Sequence, residues 1–183
     1  MSYHCTVKPG NLLKEANATF IVNASNTKLQ LGSGVSSAFR KVCGAVMQVE
    51  MLEEYKSLQQ ELYKGDVIAT SSGQATNFKY ALHAAVMDYN TGVRGTDKLP
   101  TIDTIRKILQ SIEPYLQWYA DNHNNEPIKL VLPLMGCGVG GLDTEKVLEI
   151  YKLFFSRNIP YQCEVVIYGY STKSYQIAKE IFQ

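Results

Sequence analysis

The sequence of 183 residues lacks several features that define other classes of protein. Its four cysteines, Cys5, Cys43, Cys137 and Cys163, are widely spaced and form no CxxC pair, so no zinc site is indicated. The formal net charge of +1 provides no general field for nucleic acid or acidic membranes. No apolar run approaches the roughly 20 residues of a transmembrane helix. We therefore expect no metal, no membrane contact and no general affinity for nucleic acid.

The sequence also lacks a secretory signal and internal repeats. The first residues, MSYHCTV, do not show the basic and then apolar segments of a secretory signal. There is no internal repeat and no low-complexity tract. The cysteines lie in apolar or glycine-rich surroundings, which favours reduced thiols in a cytoplasmic protein. We expect a single domain over residues 1–183, acting as a monomer, with a sizeable core.

Short apolar runs that alternate with helical patterns predict a three-layer α/β domain with a mostly parallel sheet. Strands are predicted at 3–7, 20–22, 67–70, 80–86, 129–132 and 164–168. Helices are predicted at 35–43, at 102–119 and at 171–182, and one begins after the N-cap Asp143. A further helical pattern is carried by Leu52, Tyr55, Leu58 and Leu62. Pro114 is expected to kink or break the helix at 102–119. In such sheets, ligands bind at the carboxyl ends of strands.

The stretch VNASNTKLQLGSGV, residues 22–35, joins an apolar strand to two asparagines and a glycine-rich loop. Asparagine is a poor residue at a buried strand end unless its amide has partners. The loop Gly32-Ser33-Gly34 has a helix starting behind it, and such a loop is a natural seat for an anion. The stretch therefore predicts a ligand that carries phosphate.

The stretch LVLPLMGCGVGGLD, residues 130–143, contains a second glycine-rich loop. The spacing of Gly136, Gly138 and Gly141 fits the G-x-G-x-x-G motif of dinucleotide-binding domains. That motif also needs an acidic residue at the end of the next strand, but the next strand here ends in IYGY. The motif also comes late in the chain, with only one strand and one helix after its own helix. Both misfits count against a nicotinamide dehydrogenase. Two such loops can instead surround a diphosphate with backbone N–H groups.

Together with three further segments, these two loops resemble the macrodomain family, which binds ADP-ribose. The segments, in order, are KPGNLL, IVNASNTKLQLGSGVSSAFRKVCG, YALHAAVMDYN, LPLMGCGVGG and VVIYGYSTKS. The second resembles the family signature VNAAN-x-x-L-x-x-GGGV-x-x-AI, which is long and specific. The resemblance implies a three-layer α/β/α macrodomain with a mixed, mostly parallel six-stranded sheet and a ligand cleft across its top. It implies no cofactor.

The resemblance also implies the contacts of the ligand. Asn11 and Leu12 lie in the opening turn, where the family has an Asp that binds the adenine amino group. Asparagine keeps an acceptor oxygen there but loses the charge. Tyr170 matches an aromatic residue that stacks on adenine. The diphosphate contacts fall on Ser33, Gly34, Val35 and Ser36 in the first loop, and on Gly136, Cys137, Gly138, Val139 and Gly140 in the second.

Several of these residues have an ordinary structural alternative. Asn26 is expected to bind the distal ribose hydroxyls and Asn23 to order the loop, but Asn26 could simply cap a turn. Tyr170 could be part of the core. His83 lies inside an apolar strand, so we interpret it as a hydrogen-bonded core histidine and not as a catalytic base. Nothing near Cys137 in the sequence would lower its pKa, so no nucleophile is predicted.

The acid/base residues of two ADP-ribosyl hydrolase groups are absent. One group has an Asp after GGGV and a His four residues on, where this sequence has Ser36 and Arg40. The other has a Lys in the strand at 67–70 and an Asp in the second loop. This sequence has no Lys in that strand, and Gly140 stands at the position of the Asp. Hydrolysis would need a water held between Asn26 and the α-phosphate, assisted by Asp88, which could equally be a surface acid.

Two functions therefore stay open. The first is an ADP-ribose-binding protein that hydrolyses ADP-ribosyl-protein esters or deacetylates O-acetyl-ADP-ribose. The second is a reader that binds ADP-ribose on a partner protein without turnover.

Overall fold

A computed structural model describes residues 1–32, 34–90 and 98–183, and it contains a six-stranded sheet with helices on both faces. The strands are β1 (Tyr3–Pro9), β2 (Ala18–Asn26), β3 (Val67–Ser71), β4 (Phe78–Met87), β5 (Ile128–Pro133) and β6 (Cys163–Gly169). The helices are α1 (Val35–Cys43), α2 (Ala45–Ser57), α3 (Ile102–Asn122), α4 (Thr144–Phe155) and α5 (Thr172–Phe182), and a 3₁₀ turn spans Leu12–Lys14. The predicted three-layer α/β arrangement is confirmed.

The order of the strands in the sheet is β1-β6-β5-β2-β4-β3. All neighbouring pairs are parallel except β3 and β4, which are antiparallel. Parallel strands end at the same edge of a sheet, so the segments that follow β1, β6, β5, β2 and β4 emerge side by side. The loops that follow β2 and β5 are therefore neighbours, although more than 100 residues separate them in the sequence.

The core lies on both faces of the sheet, because the strands are buried on both sides. In β2, Phe20 and Val22 pack in the cluster that includes residues of α3 and α4, whereas Ile21 packs in the cluster under α1 and α2. Burying each such side chain contributes about 1.5–3 kcal/mol. A one-residue slip of β2 would exchange these two sets, so double-sided burial fixes its register.

Two of the predicted elements differ from the structure in extent. Strand β2 continues four residues past the predicted end at Val22, because the amide of Asn23 has hydrogen-bond partners on both sides. Helix α2 ends at Ser57, so Leu58 and Leu62 lie beyond it. The buried residues of α2 are Met47 and Met51, and Tyr55 and Leu58 pack partly buried against the same core cluster. The periodic pattern therefore identified residues that face the core but missed the end of the helix.

The predicted division of the helix at Pro114 is wrong, because α3 runs continuously from Ile102 to Asn122, and a kink there stays a prediction. Proline removes one N–H from the helix ladder. The ring sits on the exposed side of α3, while Ile112 and Leu116 on either side are fully buried. Packing of those neighbours against the sheet holds the helix through the interruption. None of the helices in the described ranges is long and apolar enough to cross a bilayer.

Candidate functional site

The first glycine loop leads into helix α1 with its N–H groups open. Gly34 is the N-cap residue, has a φ of +62° and supplies no side-chain cap. The N–H groups of Gly34, Val35 and Ser36 form no hydrogen bond to any residue that the structure describes. A helix N-terminus with unbonded N–H groups carries partial positive charge and binds anions. Ser33 lies outside the described residues, so its contact stays a prediction.

The second glycine loop presents a similar run of N–H groups after β5. Its turn is closed by hydrogen bonds from Gly141 N to Gly138 O and from Leu142 N to Gly136 O. The N–H groups of Gly138, Val139 and Gly140 are not bonded to other described residues. Successive unbonded N–H groups in a turn form an anion-binding concavity. Because β5 and β2 are parallel neighbours, both runs lie at the carboxyl edge of the sheet.

Two glycines of the second loop are needed for different reasons. A Cβ on Gly140 would lie 2.7 Å from the Gly136 carbonyl oxygen, so this glycine is required by backbone packing. A Cβ on Gly138 would meet nothing within 4 Å, and the backbone there does not have a positive φ. Neither packing nor conformation explains the glycine at 138. Close approach of a ligand to the backbone would explain it.

Two large apolar side chains are exposed to solvent at the same carboxyl edge of the sheet. Val139 is 83% exposed and Tyr170, directly after β6, is 94% exposed. The alternative in which Tyr170 belongs to the core is therefore wrong. An aromatic ring with both faces open can stack on a planar base.

The buried side of the first loop is held by an uncharged hydrogen-bond chain. His83 is fully buried, and its Nδ1 accepts from Asn23 Nδ2 at 3.0 Å, so Nε2–H donates to Thr70 Oγ1 at 2.8 Å. Asn23 Oδ1 accepts from the Ser36 hydroxyl at 3.0 Å. Burial lowers the pKa of His83 to about 3. The geometry is that of the expected hydrogen-bonded core histidine, and Asn23 links β2 to the start of α1.

Asn26 caps the turn that follows β2, which is the structural role that the sequence left open for it. Its Oδ1 accepts from Lys28 N at 3.0 Å and Gln30 N at 3.3 Å, and its Nδ2 donates to Gln30 O at 2.9 Å. Both lone pairs of the oxygen are thus occupied, and one N–H is left for a ligand hydroxyl or a water. The ribose contact predicted for Asn26 stays a prediction, restricted to that donor.

Asp88 is buried, so the alternative of a surface acid is wrong. Its Oδ1 accepts from the Thr27 hydroxyl and from Asn90 N, both at 3.0 Å. These bonds join the ends of β4 and β2. The assisting catalytic role of Asp88 stays a prediction.

The opening turn places Asn11 at the surface and Leu12 in the core. Asn11 Oδ1 accepts from Leu13 N at 3.0 Å and so caps the 3₁₀ turn, and one lone pair of this oxygen stays available. Because the Leu12 side chain is buried, a ligand contact of Leu12 would involve its backbone.

Sequence reasoning missed Glu15, which fixes this turn to the sheet. Its buried carboxylate accepts from Lys8 Nζ at 2.8 Å, Lys129 Nζ at 3.3 Å and the Tyr168 hydroxyl at 2.5 Å. Burial raises the pKa of this carboxyl, but the hydrogen bonds from Lys8, Tyr168 and Lys129 outweigh burial and hold the pKa below its ordinary value. The partners come from β1, β5 and β6, and no sequence pattern pairs them.

The thiol of Cys137 is not activated in this loop. Burial raises its pKa to about 11, so the proton stays on sulfur at neutral pH. All four cysteines are free. Across the described ranges, no three His, Cys, Asp or Glu side chains gather as metal ligands.

Comparison with known proteins defines the class to which this fold and site correspond. The model of the Macro domain family matches residues 22–151, so the chain belongs to the macrodomain family and has its three-layer α/β/α fold. An uncharacterized protein of Sulfurisphaera tokodaii is 28% identical over 175 residues, which are 93% of this chain and 87% of that protein. One of Saccharolobus solfataricus is 29% identical over 93% of this chain and 88% of its own.

Solved macrodomains share the fold at lower identity. A mutant of the Oceanobacillus iheyensis macrodomain with ADPR superimposes with a TM-score of 0.75 at 19% identity, over 97% of this chain and 90% of that one. The Trypanosoma brucei macrodomain in complex with ADP-ribose gives a TM-score of 0.72 at 19% identity, over 98% and 69%.

We expect His83 to remain neutral across the physiological range. A lowered histidine pKa contributes stability that is present above its ordinary value of about 6.5 and is lost as the pH falls below it. The free energy of unfolding should therefore fall by about 2 kcal/mol from this group between pH 7 and pH 5. NMR of the imidazole protons measures the titration directly, and His83→Gln should remove this part of the pH dependence. A ring that titrates between pH 6 and 7 would contradict the assignment.

Proposed function

We propose that this protein binds ADP-ribose, or an ADP-ribosyl group on a partner protein, in a cleft between the two glycine loops. The observation that carries the proposal is that the N–H groups at 34–36 and 138–140, at the ends of adjacent parallel strands, form no hydrogen bond to another described residue. Two such runs can surround a diphosphate from both sides, whereas a single phosphate needs one. The family members with ADP-ribose bound support the same ligand.

The remaining parts of the ligand are assigned by what lies beside the two loops. The exposed Tyr170 ring and the Asn11 amide are suited to stack on adenine and to bond its edge. The free N–H of Asn26 is suited to a hydroxyl of the distal ribose. We further propose that residues 1–183 act as one domain and as a monomer, in the cytoplasm, a location that the free thiols support.

Turnover is the second candidate function, supported by the one open donor of Asn26 beside the first loop. Three side chains in or beside the loops are poor bases at neutral pH. His83 is buried with a pKa of about 3, Cys137 keeps its proton, and the Arg40 guanidinium has no acceptor atom. Hydrolysis would therefore use the phosphate of the substrate to activate a water that Asn26 positions. Binding without turnover needs none of this.

We expect ADP-ribose to bind far more tightly than AMP. AMP carries one phosphate and lacks the second ribose, so it leaves one N–H run and the Asn26 donor without a partner. Calorimetric titration with ADP-ribose, ADP and AMP measures the difference. Equal affinity for ADP-ribose and AMP would contradict a diphosphate cleft.

Substitution of Gly138 should separate ligand binding from folding. Gly138→Glu adds a carboxylate in open space at an unstrained position, so the protein should fold normally. Like-charge repulsion with the diphosphate should lower ADP-ribose affinity about a hundredfold or more. The matched control is Gly140→Ala, whose Cβ collides with the backbone of Gly136 and should lower the melting temperature. A Gly138→Glu protein with wild-type affinity would show that this loop does not hold phosphate.

A comparison of rates with affinities should decide between the two functions. If the protein is a hydrolase, Asn26→Ala should reduce turnover about a hundredfold more than it weakens ADP-ribose binding, because loss of the turn hydrogen bonds affects both and loss of the positioned water affects turnover alone. The assays are release of ADP-ribose from a Glu-modified protein and deacetylation of O-acetyl-ADP-ribose, each beside a binding titration. Arg40→Ala is the control and should retain its rate. Absence of turnover by the wild type at high enzyme concentration would leave the reader function.

A further inference from the structure

The opening turn and the end of β6 lie side by side at the cleft. In the β1–β6 ladder, Pro9 pairs with Gly169. Asn11 lies two residues beyond Pro9, and Tyr170 directly follows Gly169. An amide and an open aromatic ring thus leave adjacent strand ends, which is the combination that recognises a planar base by its edge and its face.

Neither of these two side chains is fixed by its own burial. Asn11 is exposed and Tyr170 is almost fully so. Their relative position therefore depends on what holds the backbone of the turn against β6. Asn77 Nδ2 donates to Leu13 O and Glu15 O, both at 2.8 Å, and so ties the turn to the segment before β4. Among the described residues, the side-chain hydrogen bond that ties the turn to β6 is the one from Tyr168 to Glu15.

We infer that Glu15, through its bond to the Tyr168 hydroxyl, positions Asn11 relative to Tyr170 and thereby gives the site its preference for adenine. The inference rests on the proposed function, since it concerns the base of the same ligand. Glu15 and Tyr168 are positioning residues: both side chains are buried, and neither needs to touch the ligand.

Glu15 and its partners Lys8, Lys129 and Tyr168 form a hub, from which the hydrogen bond of Tyr168 can be removed alone. The Glu15 carboxylate is also neutralised by Lys8 and Lys129, whose ammonium groups lie at 2.8 and 3.3 Å. Tyr168→Phe deletes the hydroxyl and leaves both lysines in place, so the carboxylate keeps its charge partners. A hydrogen bond to an ionised group is among the stronger ones, and its loss removes the side-chain tie between the turn and β6, beyond the end of the β1–β6 ladder, without leaving a bare buried charge.

The test compares ADP-ribose, its hypoxanthine counterpart inosine diphosphate ribose, and ribose 5-phosphate. Hypoxanthine lacks the amino group of adenine, so the ratio of the first two affinities reports base discrimination. We expect the wild type to prefer ADP-ribose, and Tyr168→Phe to reduce that preference by about threefold to tenfold, the equivalent of one hydrogen bond. The affinity for ribose 5-phosphate, which has no base, should not change. Glu15→Gln should act in the same direction.

The matched control is Tyr3→Phe. The Tyr3 hydroxyl is also buried, 3.4 Å from the Tyr161 hydroxyl, and Tyr3 packs in the other core cluster. This variant should change the melting temperature but not base discrimination. If Glu15→Gln fails to fold, Tyr168→Phe decides the question.

The outcomes are distinguishable from one another. A Tyr168→Phe protein that is less stable but keeps the full preference for adenine would overturn the inference and leave a purely structural hub. A wild type that binds ADP-ribose and its inosine counterpart equally would overturn it as well, while the proposed function stands. A wild type that binds no ADP-ribose would overturn both.

Discussion

The site depends on the parallel pairing of β2 with β5 at the centre of the sheet. Phe20 lies opposite Leu130 and Ile21 opposite Val131, and all four side chains are almost fully buried. If this pair were antiparallel, the two glycine loops would lie at opposite edges of the sheet, and each would present one isolated run of N–H groups. The pairing is held by apolar burial on both faces, so the geometry for an anion is created by the most apolar part of the molecule.

The side chains that hold the first loop at the start of α1 are uncharged, and this affects how the loop can bind an anion. Thr70, His83, Asn23 and Ser36 form a chain from the edge strand to the start of α1, and burial keeps the histidine neutral. A chain of neutral groups fixes the helix N-terminus without adding a charge beside the phosphate site. The positive potential there then comes from backbone N–H groups, whose direction is fixed. Selection by direction and spacing suits a diphosphate better than a mobile lysine would.

The sequence predicted what depends on local pattern and missed what depends on distant pairing. Strand and helix types followed from periodicity, and the loops at 32–36 and 136–141 followed from glycine spacing. Periodicity missed the end of α2, and the division predicted at Pro114 is wrong because tertiary packing outweighs the local cost of proline. The buried position of Asp88 and the partners of Glu15 come from side chains that are remote in the sequence, and neither leaves a local signal.

The contrast between the two ends of the cleft follows from these supports. The side-chain chain that fixes the start of α1 is neutral, whereas the opening turn beside the proposed nucleobase site contains a carboxylate paired with two lysines. A charge can be used there because it is paired within the protein and because the base it faces is uncharged. A similar carboxylate beneath α1 would oppose the proposed diphosphate through a low-dielectric interior. With the paired carboxylate under the proposed adenine end and the neutral chain at the start of α1, both supports can be rigid without an unpaired charge beneath the helix N-terminus that the diphosphate would contact.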